Sequence, residues 1–196
     1  MPIMKKTTLL SIFYSTVLAT AVLISNPVLA DNYQIDSAHS FLNFSVGHLG
    51  VSIARGRFND ISGDFTIDAE SPTQSRVNVL IKTASVDTGL EKRDKHLRSP
   101  DFFDVKQFPE MLFNSSGYEG TSEEGTITGD LTLHGVTKRV SFAVEKIGEG
   151  DDRRGLHRAG FVVSGTIKRS DFGMSFIIPA VGDEIKITFS IEGVRQ

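Results

Sequence analysis

Five histidines, His39, His48, His96, His134 and His157, are the side chains here best suited to metal ligation or to proton transfer near neutral pH. No two of them sit at the short local spacings that metal sites commonly use. Only a closed fold that brought His39, His48 and His134 together would assemble such a centre, and an enzyme of unknown reaction is the alternative that rests on that convergence. Cysteine is absent, which excludes thiolate nucleophiles, thiol redox chemistry and Cys-ligated zinc. The chain also lacks a glycine-rich dinucleotide or phosphate loop, a Gly-x-Ser-x-Gly elbow and a His-Glu-x-x-His helix. Asp64 and Asp68 share a strand face, but paired carboxylates with neither base nor nucleophile beside them read as solvent-facing groups. A protein that binds rather than transforms is therefore expected, with no catalytic residue, no metal and no required cofactor.

The positioning elements must be sought after the leader is set aside. Lys5 and Lys6, an apolar run over residues 9–24 and Val28-Leu29-Ala30 form the pattern of a cleaved secretory signal over residues 1–30. The mature chain, residues 31–196, has 166 residues and a formal net charge near −5, a size suited to one domain with one core. That charge removes the basic footprint of nucleic-acid binders. Without cysteine the chain has neither disulfide staples nor a site for a lipoprotein anchor, so a protein free in the periplasm is expected.

Period-two alternation dominates the mature chain. Leu42, Phe44 and Val46 alternate with Asn43 and Ser45, and Val77, Val79 and Ile81 with polar neighbours. The pattern returns at Met111 and Phe113, at Ile127, Leu131 and Leu133, and at Val140, Phe142 and Val144. It recurs at Ala159, Phe161, Val163 and Ile167, and at Ile185, Ile187, Phe189 and Ile191. With the run over residues 58–67, this predicts about eight half-buried strands. Glycines punctuate their ends, while Gly56, Gly63, Gly129 and Gly165 fall inside strands, where bulges or sharp coils are expected. The fold class is all-β: an eight-stranded antiparallel up-and-down barrel with short helices capping one end, a two-sheet sandwich being the alternative.

Residues 90–105 break the alternation. They carry Lys92, Arg93, Lys95, His96 and Arg98, while Leu90, Asp94, Leu97 and Asp101–Phe102 fall nearer a helical spacing and Pro100 can open a second turn, which predicts a pair of short surface helices across a barrel end. Shorter helical turns are expected at residues 47–54 and 170–174. An eight-stranded barrel is wide enough for packed side chains or one slender apolar ligand. The lumen candidates are Phe44, Val79, Phe113 and Leu131 on the earlier strands, and Phe142, Phe161 and Phe189 on the later ones. At the mouth or cap, His48, Lys92, Arg93, Phe102, Phe103 and Arg169 are the candidates, the basic groups to meet a head group and the aromatics to close the tail channel.

Seven tracts occur in a familiar order: Tyr33-Gln34-Ile35-Asp36-Ser37-Ala38-His39-Ser40, Phe44-Ser45-Val46-Gly47-His48, Gly56-Arg57-Phe58, Arg93-Asp94-Lys95-His96-Leu97-Arg98-Ser99 with Asp101-Phe102-Phe103-Asp104, Phe108-Pro109, Gly129-Asp130-Leu131-Thr132-Leu133-His134-Gly135-Val136-Thr137, and Arg169-Ser170-Asp171-Phe172-Gly173-Met174. Together they resemble the YceI family of periplasmic polyisoprenoid-binding proteins along the whole mature chain. The resemblance implies a lipocalin-like barrel with an elongated apolar pocket for an isoprenoid quinone, a polyprenyl lipid or a fatty acyl chain, held for carriage, storage or stress protection. It implies no agreed catalytic reaction. A transient contact with a membrane surface and a homodimer are further expectations, and a stress protein acting through its outer surface is the remaining alternative.

Overall fold

The computed structural model describes residues 30–196; the leader read over residues 1–30 lies outside them, Ala30 excepted. Eleven strands form one antiparallel sheet: β1 (Asp31–Ile35), β2 (Phe41–His48), β3 (Ser52–Phe58), β4 (Ile61–Ile67), β5 (Arg76–Lys82), β6 (Val86–Asp87), β7 (Glu110–Gly120), β8 (Glu124–Leu133), β9 (Val136–Asp151), β10 (His157–Lys168) and β11 (Val181–Arg195). They make eight staves, because β1 and β2 run one after the other along β11, β3 continues into β4, and β5 into β6. The register shows this: Gln34 pairs with Val194 and Phe44 with Ile187, both on β11. Consecutive staves are neighbours throughout, and the β1–β11 pairing closes the ring. This is the up-and-down barrel that the alternation predicts, and closure leaves few unpaired edges.

Apolar side chains enter the interior because the pleat sends every second residue inward. Direct cross-strand partners Phe113 and Leu131, and Ile127 and Phe142, are all buried. The inner wall includes several phenylalanine rings, and glycine makes room for them. A Cβ on Gly165 would stand 2.4 Å from the Phe142 ring, and one on Gly56 2.4 Å from the ring of its cross-strand partner Phe44. These glycines are seats for aromatic rings, which corrects the expectation of bulges there. At Gly129 the expectation holds, since the register shifts opposite it at Ser115/Gly117; further shifts occur at Gly160/Phe161 and at Val181/Ile185.

Two helical expectations also change. Residues 47–54 form a tight β2–β3 hairpin, with His48 opposite Ser52 and both Leu49 and Gly50 at positive φ. In residues 90–105 there is one helix, α1 (Glu91–Leu97), followed by hydrogen-bonded turns, because Phe103 and Val105 donate back to Leu97 and Arg98 carbonyls and end the helical register. The short helix after β10, Arg169–Phe172, falls where one is expected. The α1 segment packs beside β6. Arg98 ties it down by donating from Nε to the Ala84 carbonyl at 2.9 Å and from a terminal nitrogen to Val86 at 2.9 Å. Leu97 and Phe103 pack on the core beneath, the Phe103 ring edge-on to Phe58 at 5.5 Å.

Candidate functional site

The barrel interior holds two apolar spaces lying end to end. The larger, about 160 Å³, is walled by Phe44, Val79, Phe113, Leu131, Phe142 and Phe189 among others, so six of the seven lumen candidates meet around it. The seventh, Phe161, lines the smaller space of about 80 Å³ toward the opposite end, its ring edge-on to Phe65 at 5.7 Å. Val77, Ile127, Val163 and Ile191 touch both spaces and form a waist between them. An apolar cavity of about 150 Å³ admits a benzene-sized guest and stays dry. The larger space is therefore of ring girth, and a long chain would have to thread the waist.

At the α1 end the larger space is roofed by Leu97, Phe102, Phe103, Arg169, Met174 and Val181. Phe102, Phe103 and Arg169 are residues that the sequence marks for the cap; Leu97, Met174 and Val181 are not among them. Leu97 was legible as the residue one heptad after Leu90 on a helix, whereas nothing in the local pattern marks Met174 as inward. His48, Lys92 and Arg93 do not reach the cavity wall. His48 ends β2 at the surface, Lys92 is exposed, and Arg93 is spent on Thr88, donating to its hydroxyl and carbonyl at 2.7 Å each.

Among the described residues, Arg169 is the only charged one lining either apolar space besides Asp68 and Arg76 at the far rim, and it is 3% exposed. Its guanidinium donates to the carbonyls of Gly182 (2.8 Å), Met174 (2.7 Å), Phe176 (2.9 Å) and Val181 (2.8 Å). It also lies 5.9 Å from the Phe102 ring centroid. Burial lowers its basicity and the nearby Asp183 charge opposes that shift. Asp183 itself accepts the Ser170 N–H and hydroxyl, which hold its carboxyl below the usual range. The arrangement pins the turn between β10 and β11 over the cavity.

The histidines do not converge. His39 precedes β2 and His48 ends it, so at about 3.3 Å per residue the strand holds them more than about 20 Å apart. His134, in the β8–β9 turn, packs on Phe108 at 4.5 Å, with Nδ1 3.2 Å from the Phe172 carbonyl. Among the described residues, one group could offer three metal-ligand atoms: Asp36, His39 and Glu192. Its centre is taken by Arg158, which donates to Asp36 at 2.8 Å, Glu192 at 2.6 Å and Asp152 at 3.0 Å. A guanidinium already neutralising these carboxylates repels a cation.

That cluster joins β1, β10 and β11, and it carries a pH signature. Hydrogen bonds from Arg158 and His39 hold the Asp36 carboxyl down at about 2. The folded value lies below the unfolded one, near 4, so its contribution is present at neutral pH and is lost as pH falls from about 4 to about 2. Asp36→Asn is expected to lower the melting temperature at pH 7 and to leave it nearly unchanged at pH 2. Equal losses at both pH values would refute the charge-based account.

Comparison with known proteins bears on this geometry. The chain is 44% identical over 195 residues to a UPF0312 protein of Photorhabdus laumondii, covering 98% of this chain and all of that one. It resembles the structure of Burkholderia cenocepacia BcnA with a TM-score of 0.73 and 25% identity, over 81% of this chain and 98% of that chain. A polyisoprenoid-binding domain from Saccharophagus degradans, implicated in plant cell wall breakdown, shares the fold at a TM-score of 0.63 and 18% identity, over 84% and 98% of the two chains. The YceI-like domain model matches residues 33–193, from Tyr33 in β1 to Gly193 in β11, the two strands whose pairing closes the barrel. The protein belongs to the YceI-like family.

Proposed function

We propose that the protein is exported to the periplasm and holds the tail of an isoprenoid lipid, a quinone or polyprenyl compound, or a fatty acyl chain, inside its barrel. The observation that carries this reading is the cavity wall. It is apolar from strand to strand, with its one cation already engaged by carbonyls, so it offers shape and apolar contact and no reacting group. The polyisoprenoid-binding domain that shares the fold supports the ligand class. The leader pattern at residues 1–30 supports export.

Relative to water, each buried methylene contributes about 0.8 kcal/mol, so a few five-carbon units would exceed the ceiling of non-covalent affinity. The tail starts in a membrane, where it is already out of water. The barrel therefore competes with a bilayer near balance, which suits carriage or storage, and selectivity comes from girth at the waist.

Native mass spectrometry of the purified protein, with solvent extraction and lipid analysis, is expected to show a prenyl or acyl species in near-stoichiometric amount. Protein that stays empty after incubation with ubiquinone-loaded and fatty-acid-loaded vesicles would overturn the reading.

A further inference from the structure

Two chain turns at the α1 end are apolar, exposed and adjacent. Neither residues 49–54 nor residues 173–182 contain a Lys, Arg, Asp or Glu, on a chain that is 23% charged. Leu49, Val51 and Ile53 of the β2–β3 hairpin are 61%, 82% and 56% exposed, and Phe176, Ile177 and Ile178 of the β10–β11 turn are exposed beside them. The two turns are joined: the Leu49 N–H donates to the Ala180 carbonyl at 2.7 Å, and His48 pairs with Val181. They also abut the cavity roof, since Val181 is part of it and Phe176 packs edge-on to Phe102 at 5.5 Å.

Backbone conformation marks the same residues. Leu49 and Ile177 have φ of 53° and 48°, the left-handed region where branched apolar side chains are disfavoured and glycine or asparagine is cheaper. Folding alone gives no reason to keep leucine and isoleucine there, because neither side chain is buried. Exposed apolar surface held at a conformational cost points to contact with something outside the molecule.

We propose that this end of the barrel docks on the surface of a phospholipid bilayer, with the two turns inserting their aliphatic side chains among the lipid tails. The choice of partner rests on the lipid-holding reading above, because the roof of the cavity then faces the bilayer that supplies the cargo. It also rests on composition. Apart from Phe176 the exposed tip side chains are aliphatic, and neither turn contains a Tyr, Trp or Arg of the kind enriched at protein interfaces. Behind them stand cations without an ion-pair partner among the described residues: Arg55, two residues from Ile53 and so on the same face of β3, and Lys92 and Lys95 on α1. Aliphatic tips backed by cations match an anionic lipid surface.

The test is flotation of the purified protein with phosphatidylethanolamine–phosphatidylglycerol vesicles. The parent protein is expected to float. Val51→Glu combined with Ile177→Glu is expected to reduce the bound fraction about tenfold or more, since two apolar anchors are lost, with an unchanged melting temperature. Ile147→Glu, an equally exposed site on the far half of β9, is expected to float like the parent. A parent protein that stays with the unbound fraction, or a double variant that floats equally well, overturns the proposal. So does a parent dimer in sedimentation velocity that the double variant splits without any flotation, which would assign the surface to a second copy. Protein that floats yet yields no extractable lipid keeps the docking surface and overturns the lipid-holding reading, whereas protein that carries lipid but never floats does the reverse.

Discussion

Phe142→Asp is expected to empty the barrel of lipid and to destabilise it by about 3 kcal/mol or more, the loss typical of removing a buried aromatic ring. Phe142 is 8% exposed, its ring lies 5.7 Å from that of Phe113, and it sits over Gly165 against the main cavity. The replacement removes that packing and places a carboxylate between the apolar Phe113 and Ile127 side chains. Such a group titrates above its unfolded value near 4, so the folded state binds the extra proton and stability falls as pH rises through that window. The variant should melt at a higher temperature at pH 5 than at pH 8. Phe142→Leu should keep the fold and most of the lipid, and Thr188→Asp, on the exposed face of β11, should change neither. Calorimetry at the two pH values with mass spectrometry of bound lipid tests this; equal lipid loss at Thr188 would place the ligand outside the barrel.

Arg169→Leu should be comparably costly by a different route. Four backbone carbonyls, from Met174, Phe176, Val181 and Gly182, share this one guanidinium, and a side-chain substitution cannot remove them. Replacing a buried charge by an apolar group is often neutral when its partner can be replaced as well. Here the acceptors belong to the backbone, and each one left unsatisfied costs about 1–3 kcal/mol. A total of about 4 kcal/mol or more is a large fraction of the 5–15 kcal/mol typical of a domain. For a chain of this size that corresponds to a fall in melting temperature of about 10 °C. Arg169→Lys retains the charge but not the fork of donors, and should fall in between. A leucine variant melting like the parent would show that the turn holds itself in place.

Features that depend on local periodicity were legible in the order of residues alone. A period of two assigns each strand residue to one of two faces, so the inward placement of Phe44, Val79, Phe113, Leu131, Phe142 and Phe189 was legible before any contact was known. The number of staves and their up-and-down order followed from alternating runs joined by short turns. The break at residues 90–105 likewise located the segment that covers one end, although only one helix forms there.

Features that depend on residues far apart in the chain emerge only when the barrel closes. That Gly165 and Gly56 seat phenylalanine rings follows from cross-strand neighbours, and a lone glycine in a strand reads the same whether it makes a bulge or a seat. The separation of His39 from His48 is set by the length of β2 between them. Arg169 becomes a clamp only because the β10–β11 turn curls its carbonyls around the guanidinium, and backbone acceptors carry no sequence signal at all. The division of the interior at Val77, Ile127, Val163 and Ile191 arises where four different strands converge, and no single strand encodes it.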